Sequence, residues 1–108
     1  MNSILQGTTP SLTISIDPDD LLLSNVAELE LAFQQFNQPA VLKHMDDCII
    51  DPAGNTVTYH FTQEETLALS PSSPLNWQLR FATVSGEVLG TNVAQIQITD
   101  LISNEVLS

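Results

Sequence analysis

The chain has 108 residues, 43% of them apolar, and thirteen carboxylates against two cations, Lys43 and Arg80, giving a formal charge of −11. That length suits a single domain over residues 1–108 with one core, while so few cations cannot neutralise a row of phosphates, so neither direct nucleic-acid binding nor attraction to anionic lipid is expected. No apolar run approaches the eighteen or so residues that span a bilayer, and MNSILQGTTP lacks the basic and apolar regions of a signal peptide, so synthesis in a cytoplasm without membrane association is expected.

In chain order, the first clear alternation is 12–16, with Leu12, Ile14 and Ile16 in one phase. Successive strand side chains point to opposite faces, so such a stretch predicts a half-buried strand. A turn follows at DPDD from Asp17, with a helical turn inside DPDDLLLSN, and then a second alternation at 27–33 placing Ala27, Leu29, Leu31 and Phe33 together. Short strands are expected at 40–44 and 48–51, before the turn DPAGN at 51–55. Residues 57–61 form the third clear strand, followed by TQEETLAL, where Thr62 and Glu65 have the spacing of a capping box and predict a short helix over 63–69. SPSSP at 70–74 is another turn, because proline presets φ. The last strands are 77–81, a short one at 87–90 after the Ser85-Gly86 turn, and 94–98. The tail, 101–108, is apolar enough to dock on the body or on a neighbour. Turns recur too closely for crossover helices, so the expected fold is all-β: an immunoglobulin-like antiparallel β-sandwich of seven or eight strands with one short helix.

Candidate chemistry is sparse. Asp17, Asp19 and Asp20, and then Asp46, Asp47 and Asp51, sit around turns without EF-hand spacing, so Asx turns rather than calcium are expected of them. His44 stands near Asp46 and Cys48, but no glycine-rich loop supplies oxyanion donors for a nucleophile. His60 falls on the polar phase of its strand. Cys48 is expected as a small buried hydrophobe, and Phe33, Tyr59, Phe61, Trp77 and Phe81 as core. No catalytic residue, metal or cofactor is expected, and the protein is read as a non-enzyme.

Charge placement is more informative than any motif. Apart from Glu28 and Glu30, the carboxylates lie in turns, the helix, the tail or at the ends of short strands, whereas the outward strand positions Thr13, Ser15, Thr58, His60, Gln78, Gln95 and Gln97 are polar and uncharged. A free-standing β domain guards its faces and edges with charge, lysine above all. Neutral faces with acidic rims therefore predict assembly through a face or an edge. The expected interface set is Gln78, Arg80, Gln95, Gln97, Glu28 and Glu30, with Arg80 pairing either with Glu28 or Glu30 across the sheet or with a neighbouring subunit's carboxylate.

The order GTTPSLTISI, VLKHMDDC, TVTYHFTQEETL and WQLRFATVSGEVLGTNVAQIQI resembles a family of small tailed-bacteriophage and prophage structural proteins, similar to the N-terminal domains of phage baseplate upper proteins. The likeness runs from Gly7 to about Val106. It carries over Gly7, Thr8, Thr9 and Pro10 at the entry, Thr62, Gln63, Glu64, Thr66 and Leu67 at the helix, and Gln78 with Arg80 on the late strand. Ser85 departs from it, standing where an Asx residue is more usual. The resemblance implies a virion protein of the head-tail junction, tail or baseplate, made in the host bacterial cytoplasm. Its partners would be copies of itself or other virion proteins. The other reading of the same surface is a ligand-binding or adhesion module that recognises a host glycan or protein through its loops.

Overall fold

In the computed structural model, which describes residues 3–36 and 38–102, the alternating stretches become strands of a two-layer all-β sandwich. The described strands are β1 (Ser3–Leu5), β2 (Ser11–Ser15), β3 (Val26–Gln34), β4 (Val41–His44), β5 (Ile49–Asp51), β6 (Thr56–His60), β7 (Leu75–Thr83), β8 (Val88–Gly90) and β9 (Ala94–Thr99), with one α-helix, α1 (Gln63–Leu67). One sheet has the order β1-β9-β7-β3-β4, with β8 also paired to β7, and the other is β2-β6-β5. This partition, with the second, fifth and sixth strands opposed to a sheet built on the third, seventh and ninth, is immunoglobulin-like, except that the first strand joins the larger sheet.

The described residues form nine strands, where seven or eight were expected. The additional one is β1, whose three residues are too few to show a period, and which pairs in parallel with β9 through Ile4 and Ile98. The sandwich is therefore antiparallel except at that edge. A second departure lies in β3, where the pairing with β7 shifts between Val26 and Glu28. Such a bulge moves one residue out of phase. Val26 is buried and Ala27 exposed, the reverse of strict alternation.

The core between the layers is built from the predicted phase: Leu12 and Ile14, Leu29, Leu31 and Phe33, Val57, Tyr59 and Phe61, Leu79 and Phe81, and Ile96 and Ile98 are all buried. Phe33, Tyr59 and Phe61 form a tilted to edge-on cluster within it, with ring centroids 5.0 to 5.5 Å apart. Trp77 packs against this core half-buried, and so does Cys48. Burial, and then the neighbouring Asp47, push the Cys48 thiol above its ordinary pKa, so it is a poor nucleophile here.

The turns use the residues the sequence marked. Asp17 and Asp51 close Asx turns, their side chains accepting the N–H groups of Asp19 and Ala53. A 3-10 turn at Leu23–Asn25 follows the first of these. Asn55, at φ 55° and buried, accepts the Leu23 N–H at 2.8 Å and donates to the carbonyls of Ile16 and Leu21, binding one end of the small sheet to that turn. Thr62 and Glu65 form the expected capping box on α1. Gly7 takes a φ of 73°, and a Cβ there would lie 2.6 Å from Leu101. Leu101 docks beside it, its N–H donating to Gln6 Oε1; residues 103–108 of the expected docking tail lie outside the described residues.

Candidate interaction face

All six residues of the expected interface set lie on the outer face of the larger sheet. Register places Arg80 opposite Glu30, Ala82 opposite Glu28, Gln78 opposite Ala32, and Asn76 between Gln34 and Gln95. Buried Leu79, Phe81, Ile96 and Ile98 alternate with these positions, so Gln97 also points outward. The face divides in two. Toward β9 it is an amide lattice, with Gln95 donating to Asn76 Oδ1 at 3.0 Å and Gln78 donating to the Thr91 carbonyl at 2.9 Å. Toward β8 it holds the charges.

Arg80 takes the intrachain partner. Its Nη2 lies 3.2 Å from both Glu30 oxygens, while the arginine side chain remains 62% exposed. One nitrogen serves both contacts, so the guanidinium keeps donors without a partner among the described residues. Over this half of the face opens a groove of about 580 Å³, lined by Glu28, Glu30, His44, Asp46, Arg80 and Val88. His44 thus shares a groove with carboxylates, but among the described residues no hydrogen bond joins its ring to one. His44's backbone N–H donates to Asp47 Oδ2 at 2.9 Å instead. His60 lies across the small sheet from Ser11, its Nδ1 2.5 Å from the hydroxyl, on the opposite layer of the molecule.

No protein-family model matches the chain, and no curated protein matches it significantly in sequence.

Two features escaped the sequence. Lys43 lies opposite Leu31, in the inward phase of β4, where its ammonium is 3.2 Å from Glu65 Oε2 and 5.6 Å from the centroid of the Tyr59 ring. Glu65 Oε2 also accepts the Tyr59 hydroxyl at 2.6 Å, and Oε1 accepts the Thr62 N–H at 2.9 Å. Burial acts to raise the Glu65 carboxyl, but these hydrogen bonds and Lys43 outweigh it, leaving the pKa below the ordinary value. Burial and then Glu65 push Tyr59 up to about 12. Desolvation acts to lower Lys43, but the bonds to Glu65 and Tyr59 prevail and raise it. A lysine amid apolar neighbours was the available signal, since a buried-phase cation needs a carboxylate.

The second feature is exposed apolar surface. Phe36, at φ 53° in the turn after β3, is 53% exposed, and Val41 and Leu42 follow it on β4 at 53% and 46%. The sequence marked this stretch only as a short strand. Its edge position is what leaves these side chains uncovered.

Proposed function

We propose that this protein is a non-enzymatic structural or adaptor component of a tailed-bacteriophage particle, assembling through the outer face of its larger sheet with copies of itself or other virion proteins. The observation that carries the assembly reading is the convergence of Glu28, Glu30, Gln78, Arg80, Gln95 and Gln97 on one face, with Arg80 still largely exposed beside its intrachain partner. Amide side chains can exchange water for a neighbour's hydrogen bonds without the desolvation cost of bare charges. The phage assignment rests on the motif order from Gly7 onward and on the fold that order implied.

Light scattering on the purified protein and on Arg80→Glu tests the reading. A defined oligomer is expected for the parent chain and a smaller mass for the variant, with circular dichroism unchanged. A monomer in both, in the presence of the candidate virion partners as well, overturns it. The adhesion reading would then gain, and one observation favours it: the exposed Phe36 ring at a turn tip, where an aromatic can stack on a sugar or anchor a protein.

A further inference from the structure

The edge of the larger sheet at β4 has an unpaired backbone flanked by two dissimilar grooves. In an antiparallel pair, residues whose N–H and C=O bond the neighbour alternate with residues that point away. The His44 N–H turns to its own Asp47 rather than to β3, so Leu42, two residues earlier, also directs its N–H and C=O away from β3. No backbone partner for Leu42 on that side exists among the described residues.

Edges of this kind are ordinarily guarded by an outward lysine. Here the only lysine of the chain, Lys43, is turned inward onto Glu65, and the edge presents Val41 and Leu42 instead. On the inner side, next to Val41, lies a groove of about 310 Å³ floored by Phe33, Phe61, Ala68, Leu69 and Leu75. On the outer side, next to His44, lies the groove that holds Glu28, Glu30 and Asp46, three carboxylates against the one cation Arg80. Only Glu30 of these three carboxylates has an ion pair among the described residues.

We infer that β4 accepts an extended segment of a basic partner protein, which continues the sheet by strand addition. Because strand side chains alternate between faces, the guest's inward residues at the Val41 end face the mainly apolar inner groove and its outward residues at the His44 end face the carboxylates of the outer one. The recognised sequence therefore alternates apolar residues with lysine or arginine. A second copy of the chain is the wrong guest at this edge, since its only cations, Lys43 and Arg80, lie on different strands and none of its segments alternates apolar residues with lysine or arginine, whereas a cationic segment is drawn in and held. The inference deepens the assembly reading on which it rests by naming a second contact and the chemistry of what fills it.

The probe is a fluorescent peptide of about six residues, an ordinary strand length, alternating valine and lysine. Saturable binding by anisotropy is expected, together with slowed hydrogen exchange at the Leu42 amide. The Glu28→Lys, Asp46→Lys double variant should bind about tenfold or more weakly, as reversal of facing charges implies, and the fully N-methylated peptide, which keeps every charge, should not bind. No binding, binding that survives N-methylation, or binding without protection of Leu42 each overturns strand addition. An Arg80-dependent oligomer that ignores the peptide would leave face assembly standing and remove only this proposal. A monomer that binds it by these criteria would do the reverse.

Discussion

The chain's two cations each meet a glutamate at 3.2 Å, yet the two pairs sit in opposite situations. The glutamates are equally covered, Glu65 at 29% and Glu30 at 28%, but Lys43 in the inner phase is 25% exposed whereas Arg80 on the outer face is 62% exposed. Glu65 also holds the Tyr59 hydroxyl and the first turn of α1, so one carboxylate ties β4, β6 and the helix together. Glu30 and Arg80 join β3 to β7, strands already paired along most of their length. An ion pair's worth therefore depends less on its distance than on how many otherwise separate groups lose a partner when it goes.

The largest effect is expected from Glu65→Ala. It removes the reciprocal cap and leaves the half-buried Tyr59 hydroxyl without its acceptor, and the combined cost should be about 1–3 kcal/mol by denaturant unfolding. A loss below a few tenths would mean that the inner pair is as dispensable as an ordinary surface one.

Acid titration sharpens the same contrast with a smaller effect. Because Glu65's carboxyl is held below its ordinary value, its contribution is present above that value and disappears as pH falls through the folded-state pKa. Unfolding free energy should thus show a Glu65-dependent fall on the acid side of about pH 4 that the Glu65→Gln variant lacks. On the alkaline side Tyr59 and Lys43 are both raised, so their contribution is present below about pH 10 and is lost as pH climbs toward the Tyr59 value of about 12. A profile identical in parent and variant would remove Glu65 from the account.

The smallest effect belongs to Arg80→Gln, measured on the monomer or at a concentration too low for assembly. A cross-strand pair this exposed should cost only about 0.2–1 kcal/mol and fade with added salt. A larger, salt-independent loss would place the outer pair among the supports of the fold and weaken its reading as a contact for other chains.

Much of this architecture is legible in the residues because strand burial has a period of two and turns have a chemistry. Leu79 and Phe81 announce a buried face and Gln78 and Arg80 the opposite one, and register then only has to align them with Glu28 and Glu30. Asp17, Asp51 and the Thr62 and Glu65 pair are equally readable, since each closes bonds within a few residues of itself. Ala27 misled because a bulge is a property of two paired strands rather than of one. The exposure of Phe36 and Val41 was not legible, because whether an apolar residue is covered depends on which elements become its neighbours.

The amino-acid sequence by itself determined that the protein is an all-β sandwich with a short capped helix, amide-rich outward strand positions and acidic rims. These follow from local periodicity, from turn and cap geometry, and from counting charges, all of which act over a few residues. Only the tertiary structure decided that Arg80 faces Glu30, that Lys43 turns inward to Glu65 and Tyr59, that Ser3–Leu5 joins β9 in parallel, and that β4 is left as an uncovered edge. Each of those depends on which strands become neighbours, and that choice is made by the packing of the two layers around a shared core, with Leu31, Val57, Leu79 and Ile96 fully buried in it, rather than by any segment alone.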